Sequence, residues 1–309
     1  MKVKNVLRMP QAFISKRLKR IYRKLKKEFD DMKKTIWKVF DCLKSNERQL
    51  LQIVVLVIAT IAPLFVNLRD LFKDYLESNP LSPDNFVWYI AITRGKYVAS
   101  VIVFFLSLWI IRKSNSDFVM NKRNVYHDYC YVWYWFCAKV LGIKKCNLVH
   151  VPIYMQFKLV IRGTFDEFPL DEDEFPIMDN EPECNVLIIN EDAYGDEINL
   201  ILEDTYAIKE IQIPKTKRGL YTIKISRNNG TTNGRHFSQK FIEATINAVR
   251  GIRQVTVINI FATTNPMNTK HIAKRVFALG GRGNVEHICV FQQAGSDKRI
   301  FSSKGHKIY

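Results

Sequence analysis

Two polar loops near the C-terminal end of the chain contain the side chains best suited to bind a charged ligand. The first, SRNNGTTNGRH (226–236), combines two glycines and three asparagines with Arg227, Arg235 and His236 at its margins. Arginine side chains beside backbone amides at a helix start bind phosphate. The second, ATTNPMNTKH (262–271), contains mainly hydroxyl and amide side chains. Together they predict recognition of a polar ligand, although ordinary turn and N-cap chemistry explains either loop alone.

Catalytic signatures are absent from the sequence. It contains no GxSxG, HExxH, GxGxxG or GxxxxGK[ST]. His236, Lys270 and His271 could act as acid–base groups, but a lone histidine beside a loop is usually a surface or capping residue. The six cysteines lack the paired spacing of a zinc site, which predicts free thiols. We therefore expect no catalytic residue, no metal and no cofactor.

The elements that would position both loops are alternating strands and helices. The strand-like runs are VPIYMQFKLVI (151–161), CNVLIIN (184–190), INLIL (198–202), LYTIKIS (220–226), QVTVINIF (254–261) and EHICVFQ (286–292). Helical periodicity covers 237–252 and 269–281. The nearly continuous apolar strands predict a doubly wound, Rossmann-like α/β domain over 151–309. In such sheets ligands bind beyond the carboxyl ends of the strands, where both loops would lie.

Two long apolar segments predict a membrane region before this domain. Residues 49–68 contain no charge and match the ~20 residues needed to cross a bilayer. A second segment, 97–111, is shorter and is bracketed by Lys96 and by Arg112 and Lys113, whose stems can snorkel to the interface. Together they predict a transmembrane hairpin over 49–112, with an external loop that carries the interfacial aromatic run FVWY (86–89).

Basic residues concentrate before the first span and after the second. Residues 1–44 carry 15 Lys/Arg against 4 Asp/Glu, which places both termini in the cytoplasm. Apolar residues there repeat at heptad spacing, which predicts a basic amphipathic helix over 1–48. That helix could lie on anionic lipid, pair with another subunit as a coiled coil, or pack on its own cytosolic domain. The clustering of charge beside the spans argues against a nucleic-acid binder.

Two further segments have distinctive composition. An aromatic juxtamembrane connector covers 113–150, and its run 129–143 is expected at the membrane surface or under the hairpin, with a third span as the alternative. Residues 165–183 contain nine acids and no Lys or Arg, which predicts a solvated loop or linker.

The segment VTVINIFATTNPMNTKHIAKRVFALGGRGNVEHICVFQQ (255–293) resembles the closing unit of SAVED and related CARF-like sensor domains. The resemblance implies binding of cyclic oligonucleotides in bacterial anti-phage (CBASS-type) signalling, in which some members carry two transmembrane helices and disrupt membranes. By position in the two loops, the ligand-binding residues would be Arg227, Asn229, Gly230, Arg235, Thr263, Thr264, Asn265, Pro266 and Asn268.

The sequence is therefore interpreted as a membrane effector whose cytosolic α/β sensor domain binds a nucleotide second messenger. Binding would trigger homo-oligomerisation and disruption of the bacterial inner membrane. Its expected partners are the nucleotide, membrane lipid, further copies of the chain and a regulatory protein. Two alternatives stay open: an effector toxin restrained by a partner protein or a retron-type nucleoprotein, and a membrane-anchored enzyme acting on a nucleotide.

Overall fold

The computed structural model describes residues 46–309 except 67–71, 80, 84–85, 123–124, 172, 178–180, 182, 228–234, 279–284 and 295–297. The chain forms two units, Met1–Val54 and Val55–Tyr309, and the first helix contains the boundary between them. The amphipathic helix predicted for 1–48 lies outside the described residues, apart from its last three.

The elements are numbered here in chain order. The helices are α1 Glu47–Ile61, α2 Lys73–Ser78, α3 Phe86–Ser114, α4 Tyr131–Lys139, α5 Ile153–Ile161, α6 Gln239–Arg250 and α7 Pro266–Ile272. The strands are β1 Val119–Met120, β2 Lys145–Cys146, β3 Asn185–Ile189, β4 Glu197–Glu203, β5 Thr222–Ser226, β6 Val257–Ala262, β7 His287–Phe291 and β8 His306–Lys307. A 3-10 turn, Ala62–Phe65, extends α1, and a π-helix, Ala273–Ala278, extends α7.

Two helical segments, Glu47–Phe65 and Arg94–Ser114, are long and apolar enough to cross a membrane. Most of their surface is exposed, including large apolar side chains such as Val57 and Phe105. A core helix of a water-soluble protein would bury such side chains. The second helix begins at Phe86, so the aromatic run 86–89, which the sequence placed in a loop, forms its first turn.

A joint fixes the membrane helix α3 to the rest of its unit. Arg112 Nη1 donates to the carbonyls of Lys139 and Val140, at 2.6 and 3.1 Å, and so satisfies the C-terminal end of α4. The buried Asn115 donates to the Leu141 carbonyl at 2.9 Å. Gly142 has φ +73°, and a Cβ there would lie 2.9 Å from Cγ of Arg112. With nine residues, α4 is too short to span a membrane.

The α/β body contains one six-stranded sheet in the order β3-β5-β4-β6-β7-β8. The four central strands are parallel, whereas β3 and β8 pair antiparallel at the edges. This arrangement confirms the predicted α/β fold with two apolar helices. Helical crossovers connect β5 to β6 through α6, and β6 to β7 through α7.

The two faces of the sheet are covered differently. On one face Ile201, Phe261 and Phe291 form an apolar cluster with residues of the β4–β5 connection and with Phe301. That connection contains two 3-10 turns in place of the α-helix that a doubly wound sheet implies between two parallel strands. The alternate β4 residues Ile198, Leu200 and Leu202 are fully buried on the other face, where α6 and α7 lie.

The run 151–161 is a helix, so the strand prediction there was wrong. Met155 and Gln156 donate their backbone N–H groups to the Pro152 carbonyl, which begins α5. Six of its nine residues are buried, and Phe157 contacts Phe277 of the π-helix edge to face. Because the segment is apolar on nearly all sides, periodicity cannot separate a buried helix from a buried strand.

Candidate functional site

The candidate site lies at the carboxyl ends of β4 and β6, where the chain leaves two neighbouring strands on opposite faces of the sheet. After β4 it passes into the connection with the 3-10 turns, and after β6 it enters α7. Such a switch point forms the usual ligand crevice of an open α/β sheet. The register pairs Glu203 with Ser226 and Leu202 with Ala262, so Asp204, Arg227 and Thr263 leave the sheet side by side.

A buried ion pair forms the base of this crevice. Asp204 Oδ1 lies 2.7 Å from Arg227 Nη2, and both side chains are almost completely buried. The other carboxylate oxygen accepts from the backbone N–H of Asn265 and from Nδ2 of Asn268, both at 2.9 Å. Burial raises the pKa of Asp204, and Arg227 and the two asparagine donors partly offset the rise. The pair therefore anchors the ends of β4 and β5 to the start of α7.

The start of α7 ties the two sequence-predicted loops together. Asn265 is its N-cap, and its side-chain oxygen accepts from the Asn268 backbone N–H at 2.8 Å. The side-chain amides of Asn265 and Asn268 both donate to the carbonyl of His236, at 2.8 and 3.2 Å. Asn268 Oδ1 also accepts from the Ser238 backbone N–H, which begins α6.

The threonines of the second loop are used within the protein. Thr263 Oγ1 donates to the Tyr206 carbonyl at 2.8 Å and accepts from the Asp204 backbone N–H at 3.3 Å. Thr264 shares a 2.6 Å hydrogen bond with Thr269. Since both side chains are buried and paired, their first role is to shape the crevice.

A cavity of about 220 Å³ opens beside this network. One group of lining residues comes from the connector and α5: Tyr126, Val149, His150, Ile153 and Gln156. The other group comes from the strand ends: Thr205, Tyr206, Arg235, Thr263, Thr264, Asn265 and Pro266.

Charge around the cavity is positive. Burial raises the pKa of Tyr206, and the nearby guanidinium groups of Arg299 and Arg235 reduce the rise. Arg299 stacks over the Tyr206 ring at 4.4 Å. On the neighbouring helix, burial lowers the pKa of His271 to about 4, and the surrounding cations, Arg275 first, add to the effect. His271 is therefore neutral near pH 7.

The structure brings most of the predicted site residues together, some in the lining of the cavity and others in the hydrogen-bonded base below it. Arg235 and the run 263–266 line the cavity, whereas Arg227 and Asn268 lie in the hydrogen-bonded base. Asn229 and Gly230 lie outside the described residues. Whether any of these residues contacts a ligand stays a prediction.

Sequence reasoning missed Asp204 and the connector residues that line the cavity. Asp204 follows the strand INLIL and precedes a turn, so the rule that selected the two loops could have found it. Tyr126, His150 and Gln156 come from segments far along the chain, and no local pattern signals their approach.

Comparison with protein families identifies one family whose model matches most of the chain. Residues 32–309 match the model of the SUa-2TM family, the SMODS- and ubiquitin system-associated 2TM effector domain. The chain belongs to this family. SUa-2TM is a membrane-effector type and not an enzyme class, which agrees with the two apolar helices and the α/β body. No curated protein matches this SUa-2TM chain.

The SUa-2TM chain is similar to two solved structures of the Acinetobacter baumannii Cap4 SAVED/CARF-domain containing receptor. One structure contains the cyclic trinucleotide 3′3′3′-cAAA and the other contains 2′3′3′-cAAA. Sequence identity is 8% in both comparisons, and the TM-scores are 0.40 and 0.39. Each match covers 57% of this chain and 41% of the receptor chain, so this chain matches less than half of the receptor's length.

Proposed function

We propose that this SUa-2TM protein is a membrane effector of bacterial anti-phage defence that is switched on by a cyclic oligonucleotide. Ligand binding in the α/β body would promote self-association, and the associated hairpins would permeabilise the inner membrane, with both termini in the cytoplasm. The observation that carries the proposal is one chain that joins an exposed apolar hairpin to a cationic cavity at a sheet switch point.

The chemistry of the cavity supports a nucleotide ligand. The Arg235 guanidinium suits a phosphate, and the Tyr126 and Tyr206 rings offer surfaces on which bases stack. A volume of about 220 Å³ lies below the ~300–1,000 Å³ of pockets that enclose drug-sized ligands. One nucleotide would therefore enter the cavity while the rest of a cyclic oligonucleotide stays at its rim.

The family description supports the effector half of the proposal. A 2TM effector acts through its membrane helices, so we assign no catalytic residue. The buried His236 is close enough to Asp204 for their charges to interact. We do not assign this pair as catalytic, because the His236 carbonyl and the Asp204 carboxylate both accept hydrogen bonds within the base of the crevice.

The test uses the full chain reconstituted in liposomes that contain a self-quenched dye. Addition of 3′3′3′-cyclic tri-adenylate should release dye, and Arg235→Ala should weaken both release and calorimetric binding about 10- to 100-fold, because one charge-assisted contact contributes ~1.5–3 kcal/mol. Arg253→Ala is the control, because only backbone atoms of Arg253 bond to Tyr194.

Three outcomes count against the proposal. If no cyclic di- or trinucleotide binds the wild-type chain, the ligand assignment fails. Release without any nucleotide, suppressed by a co-expressed protein, would favour the partner-restrained effector. Turnover of the nucleotide during the assay would favour the membrane-anchored enzyme.

A further inference from the structure

Gln156, one of the residues that line the cavity, carries a side-chain oxygen that the protein leaves without a partner. Gln156 lies in the first turns of α5, lines the cavity and is 4% exposed. Its side-chain nitrogen donates to the Val151 carbonyl at 2.7 Å. Among the described residues its Oε1 is one of a few buried side-chain atoms with no hydrogen-bond partner.

Leaving such an atom unpaired is unfavourable, since burying an acceptor without a partner costs its hydration, ~1–3 kcal/mol. The bond to Val151 also fixes the orientation of the amide, so Oε1 can only accept. The ligand atom that meets it must therefore be a donor.

The residues that line the cavity indicate which part of a nucleotide, the base or the sugar, would lie against Gln156. The lining residues from the connector and α5 include the apolar Val149 and Ile153 and the aromatic Tyr126, together with His150. The other lining group carries Arg235 and the strand-end hydroxyl and amide residues. A flat base fits an apolar wall with a single acceptor, whereas a ribose phosphate fits the more polar lining group.

We infer that Gln156 is a specificity-determining residue that accepts a hydrogen bond from the exocyclic amine of the bound base. This inference rests on the proposed function and narrows its ligand to cyclic oligonucleotides that contain an amino base. Deamination exchanges that donor for a carbonyl oxygen, which would face Oε1 as a second acceptor.

The experiment compares cyclic tri-adenylate with its deaminated counterpart, cyclic tri-inosinate, by calorimetry on the full chain in lipid nanodiscs. The wild-type chain should bind the inosinate about 10- to 100-fold more weakly. Gln156→Met keeps the length of the side chain and removes the acceptor, so the two affinities should become equal. Equal affinities in the wild-type chain would overturn the inference and leave the proposed function intact.

Failure of both compounds to bind would contradict the proposed function. Thermal unfolding without nucleotide still tests whether Gln156 has a structural role. Gln156→Met should change the unfolding midpoint little, because it removes an unpaired acceptor together with one hydrogen bond, that to the Val151 carbonyl. The matched control is Gln212→Met, which removes a buried glutamine whose nitrogen and oxygen both have partners, Lys298 and Lys209. Its midpoint should fall. A fall in Gln156→Met as large as that in Gln212→Met would show a structural role and overturn the inference.

Discussion

Asp204 is the residue on which the architecture of the crevice depends. It meets Arg227, Asn265 and Asn268 with its two carboxylate oxygens, and through them it links β4, β5 and α7. A buried ion pair adds little net stability compared with apolar packing, but removal of one partner leaves the other charge buried. The pair therefore acts mainly as a fixed point for the loops around it.

Asp204→Asn should lower the free energy of unfolding by ~3–5 kcal/mol, because it leaves the Arg227 guanidinium buried without a carboxylate. Denaturant unfolding in detergent measures the loss. Lys240→Ala is the matched control, because it breaks an exposed ion pair with Glu183 and should change little. A loss as small as that of the control would show that the pair is not needed for folding.

His271 should make stability depend on pH in the acid range. Its pKa is lowered to about 4 in the folded protein, against about 6.5 when unfolded. Between these values the unfolded chain binds more protons, so stability is lost as the pH falls from ~6.5 to ~4. Because His271 is half exposed, screening limits the loss to ~1–2 kcal/mol.

The comparison of unfolding curves for wild-type protein and His271→Asn isolates this group from the carboxylates that also titrate. The difference between the two free energies should grow across that window and stay constant above pH 7. A difference that is independent of pH would contradict the assignment.

At the scale of elements, local chemistry predicted most of the body. The strand-to-loop-to-helix order of 220–278 follows from residues whose preferences agree with their environment: Asn265 caps α7, Ser238 caps α6, and apolar runs form the central strands. The α5 assignment failed because burial on nearly all sides removes the helical pattern. The approach of α5 and the connector to the crevice depends on tertiary packing, which no short segment encodes.

Gly142 allows the close approach of α3 and α4. Gly142→Ala should destabilise the joint in two ways, because a non-glycine residue at φ +73° is strained and its Cβ would lie 3.0 Å or less from Arg112 carbons. Amide exchange of 140–143, measured by mass spectrometry, should accelerate about tenfold or more.

Gly163→Ala is the matched control for that change. Gly163 has φ +54°, but nothing lies within 4 Å of a Cβ there, so the variant adds strain without a clash. Exchange at 140–143 should stay at the wild-type rate. Equal acceleration at 140–143 in the two variants would mean that a general loss of stability, and not a local effect at the joint, explains the result.

For the whole molecule, the proposed membrane disruption requires an apolar surface on the first apolar segment. Val57→Glu places a charge near the middle of Glu47–Phe65, which costs ~3 kcal/mol for insertion. In cells, induced expression with a membrane-potential dye should show depolarisation for the wild-type chain and for Val57→Leu, and none for Val57→Glu. Depolarisation by all three would show that this segment does not form the lesion.

The joint at Arg112 makes α3 a lever arm for the α/β body. Phe86, the first residue of the helix, precedes Arg112 by 26 positions, so at ~1.5 Å per residue that end lies about 39 Å from the joint. A tilt of about 10° at Arg112 would move that end by roughly 7 Å, more than one helical turn. Under the proposed function, a small rotation caused by the nucleotide would thus become a displacement of the far end of α3 on the scale of a lipid headgroup.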